Sequence, residues 1–328
     1  MITRRTALGL GLAALAAPRF AARPARAEQA RDDLIGAIGY YVTDGRTTLL
    51  DLALQRDLGI LELSAANPGV DPWVPGADRL IVLPSAHLLP DAPREGIVIN
   101  KSELRLYFFA RDGSVETHAI GVGREGFSTP VGSTKIVRKT KDPTWYPTAE
   151  TRRDRPELPG VVGPGPDNPL GDRALYLGWP TYLIHGTNKP YGVGRRVSRG
   201  CIRMYPASVQ SLYEKVPQGA PVTVVEQPLK AGWHEGELYV EAHPDLGQLD
   251  ELEETYAFTP RPGIMSAEDE ALIRARAGEH VDRVDWETVR AELVARRGLP
   301  VRVTGATPAL AGEAGALPDP PPALGGLY

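Results

Sequence analysis

The sequence predicts a mainly β chain with a sandwich-like centre. A small α+β unit flanks it on the N-terminal side, and a C-terminal extension with a helical pair follows it. Three observations carry this prediction. From Ile97 onward the short β-rich runs IVIN, LRLYFFA, ETHAIGVG and STKIVRK follow one another with Gly, Asp, Asn or Pro between them, the texture of a sandwich or barrel. Residues 36–86 ahead of them read strand, helix, helix, strand. Behind them, Ser266 with Asp269 forms a capping box for one helix and Asp285 leads a second, which Gly298 and Pro300 end.

In chain order, residues 1–27 come first. They carry Arg4, Arg5, Arg19, Arg23 and Arg26 and no acid, then a short apolar run and a small-residue cleavage site at Ala25–Arg26–Ala27. This is an export signal, because the run is too short to be retained as a membrane span, and the Arg4–Arg5 pair fits the twin-arginine type. The unit at 36–86 opens on YYVTDG, places Leu49, Leu52, Ala53, Leu58 and Ile60 in helical elements, and closes on Leu80–Leu83 after two Pro/Gly turns. A Pro-containing linker spans 87–96. The β-rich region runs over 97–227, interrupted by a Pro/Gly-rich stretch at 142–181 whose length marks a functional loop or lid. Within it, ASVQSLYEKVPQG puts Val209, Leu212, Tyr213 and Val216 on one helical face, between Pro206 in the first turn and Gly219 past the end. The extension at 228–304 holds the strand GELYVEAH and the acidic stretch DLGQLDELEE, and residues 305–328 have the Ala, Gly and Pro content of a disordered tail.

Composition narrows the partners. The 328 residues suffice for two or three modest domains. Without the first 27 residues the chain has 32 basic against 41 acidic residues, a net charge of −9, which argues against nucleic-acid binding through bulk electrostatics. No segment beyond the signal has the length of a transmembrane helix.

The only cysteine is Cys201. In an exported protein a single cysteine cannot form an intrachain disulfide. It is a reactive thiol, an intermolecular partner or a small buried hydrophobe. One Cys with one nearby His falls short of a tetrahedral metal site, and CxxC and HxxxH are both absent, so neither metal nor cofactor is expected.

A nucleophilic thiol needs a base or cation nearby. Of six histidines only His185 lies close in sequence, at the end of the apolar run TYLIHG. Cys201 follows a tight turn in SRGCIRM. Gly200 would let backbone approach a substrate, and the amides around Gly200–Cys201 could form an oxyanion hole.

The whole stretch HGTNKPYGVGRRVSRGCIRM resembles the signature of the L,D-transpeptidases, the YkuD-type catalytic domain. His185–Gly186 and Ser198–Arg199–Gly200–Cys201–Ile202–Arg203 match that motif in order and spacing, GREGFSTPVGSTKI matches its Thr-Pro-x-Gly segment, and PGPDNPLGDRALYLGW matches the segment before the histidine strand. The resemblance covers about 97–227. Residues 36–86 are similar to a LysM module through Tyr41–Val42, Gly45, Leu52–Ala53, Asn67–Pro68 and Leu83–Pro84, although Gly45–Leu49 lacks the usual acid and is one residue longer.

The resemblance implies a cysteine acyltransferase acting on peptidoglycan. Cys201 would attack the bond after diaminopimelate, the third residue of a tetrapeptide stem, releasing D-Ala, with His185 as its ion-pair partner and proton donor. Many members carry a second histidine before Gly-Cys; here it is Arg199, so the base would be His185, oriented by the Gly186 carbonyl. Arg203, Ser198, Tyr182 and Trp179 are the expected substrate-binding residues. The acyl acceptor would be a second stem, giving a 3–3 cross-link, or an amine of an outer-membrane lipoprotein or other protein. Water in that role would make an L,D-carboxypeptidase or amidase, and a wall-binding protein with a silent catalytic fold is the non-enzymatic alternative. Glycan would be the partner of the LysM-like unit, and the location the periplasm of a Gram-negative bacterium.

Overall fold

The computed structural model describes residues 32–260 and 265–305. The signal expected at 1–27 and, apart from Gly305, the tail expected at 305–328 lie outside the described residues. No helix among those described is long and apolar enough to cross a membrane.

After β1 (Leu34–Gly36), the chain runs through β2 (Gly39–Asp44), α1 (Leu49–Arg56), α2 (Ile60–Ala66) and β3 (Ala77–Leu83). Strands β2 and β3 pair antiparallel with Tyr41 opposite Ile81. The acid missing after Gly45 is supplied before it: Asp44 Oδ1 accepts from the amides of Arg46 (2.9 Å) and Thr47 (2.7 Å). Helix α1 starts where Thr48 and Asp51 cap each other reciprocally. Leu49, Leu52, Leu61, Leu63 and Ile81 fill the interior. Asn67 ties α2 to β3, donating to Leu63 O and Val82 O and accepting from the Val82 amide.

The linker expected at 87–96 is not a free tether. Strand β4 (Ala86–Leu88) pairs antiparallel with β1, and His87, Leu88 and Leu89 are buried. Its prolines suppress periodicity in the sequence, and only tertiary packing reveals the strand.

The centre is built from β5 (Gly96–Asn100), β6 (Arg105–Phe109), β7 (Val115–Gly123), β8 (Gly132–Lys141), β9 (Arg173–Leu177), β10 (Leu183–His185), β11 (Arg196–Ser198), β12 (Ile202–Met204) and β13 (Pro221–Val225). The long loop after β8 carries α3 (Ala149–Asp154), and α4 (Pro206–Lys215) follows β12. Strand order is β7-β12-β10-β9-β8-β13-β5-β6, and β6 pairs back onto β7, closing the ring; β11 adds to β7. The two longest strands turn the corners. Strand β7 pairs with β6 through Val115–Ala119 and with β12 at Ile120 and Gly121. Strand β8 serves β13 through Gly132–Lys135 and β9 from Ile136 on. The sandwich expected from the short runs is thus joined along both sides, which leaves no open edge in the ring. Ile97, Ile99, Leu106, Ile120, Leu175, Ile184, Ile202 and Met204 face its interior with Val209 and Leu212 of α4.

Beyond it, β14 (Leu229–His234), β15 (Glu237–Ala242) and β16 (Val301–Arg302) form an antiparallel sheet. Helices α6 (Ala267–Ala277) and α7 (Trp286–Ala295) pack on this sheet through Ile273 and Val289. The acidic stretch is itself helical: α5 (Leu246–Thr255) is N-capped by Asp245.

A buried ionic cluster joins the three parts. Lys230 Nζ from β14 donates to Glu103 (2.6 Å), Tyr107 OH (3.2 Å) and the Leu88 carbonyl (2.7 Å), and lies 2.9 Å from Glu241. His243 Nε2 is 2.7 Å from Glu241. Arg105 Nη2 of β6 bonds Glu62 of α2 at 2.6 Å. Removing one partner from such a cluster strands a buried charge. Lys230→Met leaves Glu103 and Glu241 without their shared ammonium and is expected to cost about 3–5 kcal/mol, measured by urea unfolding; a loss below about 1 kcal/mol would show that the cluster does not hold the parts together.

Candidate active site

Strands β10 and β12 are parallel neighbours, with Ile184 opposite Ile202 and His185 opposite Arg203. Residues in register share a face, and alternate residues do as well. Ile184 and Ile202 fill the interior, so His185 and Arg203 belong to the outer face, and Cys201, two residues before Arg203, falls on that face too. The two residues that the sequence singles out therefore fall on one face of adjacent strands, sixteen positions apart in the chain.

His185 is buried, and its Nδ1 lies 2.5 Å from the carbonyl oxygen of Gly186. A carbonyl only accepts, so Nδ1 carries the proton and Nε2 is left as an acceptor. Gly186 sits in a tight place: a Cβ there would come within 3.2 Å of Val209 Cγ1 and 3.3 Å of the Leu170 carbonyl oxygen, so its neighbours would have to give way by a few tenths of an ångström.

Burial, and secondarily the Arg203 charge, push the His185 pKa down to about 4 against the opposing pull of the Gly186 bond. Burial raises the Cys201 thiol above its ordinary range, although a hydrogen bond from the Leu183 amide and the Arg203 charge act the other way. Both shifts favour the neutral forms, against the charge separation of the expected thiolate–imidazolium pair. The thiol donates to the Thr181 carbonyl at 3.4 Å.

The turn before Cys201 is braced from several sides. Gly200 has φ +99°, and a Cβ there would stand 2.7 Å from Tyr182 Cε1. Ser198 Oγ donates to the Cys201 carbonyl (2.6 Å) and accepts from the Gly200 amide (3.1 Å). This corrects two expectations. The Gly200 amide is committed to Ser198 and is not a free oxyanion donor. Ser198, buried beneath the turn, braces backbone and does not face substrate.

Thr129, of the Thr-Pro segment, completes the brace. Its Oγ1 donates to the Gly200 carbonyl (2.9 Å) and accepts from the Gly123 amide (3.1 Å). The segment was visible in the sequence, but the role of its hydroxyl was not, because that role depends on a partner 71 residues away.

Tyr182 packs edge-on against Trp179 (centroids 6.2 Å), and both are half-buried beside the turn. Arg203 has no carboxylate partner among the described residues, and its buried Nε has no hydrogen bond. Arg199 is engaged elsewhere: it stacks on Phe127 (4.4 Å) and forms an ion pair with Asp154 of α3.

One further cluster escaped the sequence. His87, Glu103 and Glu241 place ligand atoms within 4.8 Å of one another. The Lys230 ammonium already bonds both carboxylates, so it holds the position that a metal ion would need.

Comparison with known proteins shows the family. The family model of the YkuD L,D-transpeptidase catalytic domain matches residues 94–224. The "Probable L,D-transpeptidase YcfS" of Escherichia coli (strain K12) is 38% identical over 282 residues, covering 82% of this chain and 85% of that protein. The "Probable L,D-transpeptidase YbiS" of the same strain is 41% identical, over 64% of this chain and 71% of that protein. The "Probable L,D-transpeptidase ErfK/SrfK" of Salmonella typhimurium is 37% identical, over 80% and 84% respectively.

The thiol's protonation is directly measurable. Alkylation of Cys201 by iodoacetamide is expected to rise with pH, with an apparent pKa above the ~8.5 of a free thiol. The sign follows from burial, which disfavours the thiolate. A rate that stays high and flat down to about pH 5 would instead show a preformed ion pair.

Proposed function

The chain belongs to the L,D-transpeptidase family of cysteine-dependent transpeptidases acting on peptidoglycan, and on that premise we propose that Cys201 and His185 carry the acyl transfer without a second histidine. As Sγ attacks the carbonyl of diaminopimelate in a tetrapeptide stem, its proton passes to His185 Nε2. The tetrahedral intermediate collapses by breaking the C–N bond, and the imidazolium returns that proton to the departing D-Ala amine, leaving a thioester. An acceptor amine then attacks the thioester, His185 takes its proton, and the thiol is restored.

The observation that carries this reading is the placement of His185 and Cys201 on one outer face, with Nδ1 held by the Gly186 carbonyl. A depressed imidazole pKa suits the second half of each step, because an imidazolium of low pKa is a strong acid toward a departing amine. With Gly200 N–H engaged, the Cys201 amide takes the role of backbone donor for the oxyanion in this reading. Arg203, whose side chain no acid neutralises among the described residues, supplies positive charge beside the pair and can take a substrate carboxylate. Trp179 and Tyr182 form the aromatic wall of the cleft next to the turn.

The acceptor is an amine of a second stem, giving a 3–3 cross-link, or an amine of an outer-membrane protein. The chain works in the periplasm after removal of residues 1–27, and the unit at 36–86 acts as a LysM-like module that holds the enzyme on glycan.

Incubation of the full chain with purified tetrapeptide muropeptides, followed by mass spectrometry, tests the reading. The wild type should release D-Ala and form 3–3 dimers, and Cys201→Ala should do neither. His185→Gln should lose about 10²–10⁴-fold in rate. Unchanged substrate with the wild type, or equal turnover by Cys201→Ala, would sink the proposal. A carbapenem should add covalently to the wild type and leave Cys201→Ala unmodified.

A further inference from the structure

The outer face that carries Cys201 continues across the neighbouring strands. Leu183 of β10, one step along from His185, is in register with Tyr176 of β9, and Tyr176 is in register with Arg138 of β8. That last pairing depends on an irregularity. Ile136 stands opposite Leu177 and Arg138 opposite Tyr176, so Val137 is an inserted residue. Without the bulge Val137 would face Tyr176, and Arg138 would fall opposite Leu175 on the interior face. A one-residue bulge thus turns Arg138 outward into the row of Cys201, the use to which bulges beside active sites are commonly put.

The neighbours of Arg138 are already engaged. Lys139 Nζ donates to the carbonyls of Tyr213 and Val216 at the end of α4, and Lys141 pairs with Glu214 at 2.9 Å. Arg138 is exposed and has no carboxylate partner among the described residues; its guanidinium lies 3.6 Å over the Tyr176 ring. Stacking fixes the plane of the fork while leaving its N–H edges free to bind a carboxylate bidentately.

We propose that Arg138, laid on Tyr176, is a subsite for a free carboxylate of the acyl-donor peptide, N-terminal to the bond that Cys201 attacks. The inference rests on the tetrapeptide stem being the donor. Strand spacing places the ring of Tyr176 about two strands, roughly 10 Å, from Cys201. Two extended residues span about 7 Å, and a side-chain carboxylate covers the remainder. The charge is selective as well: an exposed cation in a chain of net acidic charge favours an acidic donor over a neutral one.

The test compares kcat and KM for the disaccharide tetrapeptide with those for the same donor whose carboxylates N-terminal to the scissile bond are carboxamides. Arg138→Gln should raise KM for the acidic donor about tenfold, with kcat falling less than about threefold. Arg138→Lys should restore part of the loss, and Tyr176→Leu should reproduce part of it. On the amidated donor, wild type and Arg138→Gln should give the same KM. Equal KM values on the acidic donor, or an equal rise on both donors, overturn the subsite while leaving the chemistry standing. No D-Ala release by the wild type overturns the donor assignment and the subsite with it.

Discussion

The hydrogen bond from His185 Nδ1 to the Gly186 carbonyl is the constraint around which the catalytic face is organised. It decides which ring nitrogen holds the proton, and so leaves Nε2 to deal with the thiol. It sits where a side chain at residue 186 would be crowded, since a Cβ would stand 3.2 Å from Val209 Cγ1 and 3.3 Å from the Leu170 carbonyl oxygen. A hydroxyl or carboxylate orienter would add a second polar group to an already buried position. A backbone carbonyl does the same work at no such cost in desolvation. Burial of the ring favours its neutral form, and in the proposed mechanism the chemistry begins from a thiol and an imidazole, not from two stored charges.

The parts outside the ring bear on the loop between His185 and Cys201. From the N-terminal unit, the corner after α1 presses Gly59 against Gly194, where a Cβ on Gly194 would stand 2.3 Å from the Gly59 Cα. The Leu58 carbonyl accepts from Tyr205 OH at 3.0 Å, and Asp57 takes hydrogen bonds from Ser208 Oγ and the Ala119 amide. From the C-terminal extension, α5 pairs Glu253 with Arg195 (2.6 Å) and Asp250 with Arg196 (2.8 Å). Arg195 also reaches Tyr256, whose ring meets Trp73 of the N-terminal unit edge-on. The turn that presents Cys201 is therefore held from both sides, and the ionic cluster around Lys230 fastens those sides to each other.

Local signals in the sequence matched local structure well. Pro206 and Gly219 bracket α4, Ser266 and Asp285 cap α6 and α7, and His185 and Cys201 stand out through their glycines and neighbours. What the sequence concealed was long-range. Ring closure depends on β7 and β8 each serving two partners, which no periodicity records. Nothing in the sequence marks Glu103 as a partner of Lys230, which lies 127 positions away. Ser198 and the Gly200 amide were assigned to substrate and oxyanion because the motif places them beside the thiol, yet the turn uses both to hold itself. Arg138 is one of several cations in the sequence around β8, and only a bulge in the register separates it from Lys139.

The central claim is a neutral His185 with its proton on Nδ1. Nitrogen-15 NMR of histidine-labelled wild-type protein at pH 7, with the ring assigned by loss of its signals in His185→Gln, measures this directly. A pKa of about 4 leaves roughly one ring in a thousand charged at that pH. The account predicts a protonated Nδ1, an unprotonated Nε2 and no change in either signal down to about pH 6. Two protonated nitrogens at pH 7, the signature of an imidazolium paired with a Cys201 thiolate, would contradict it.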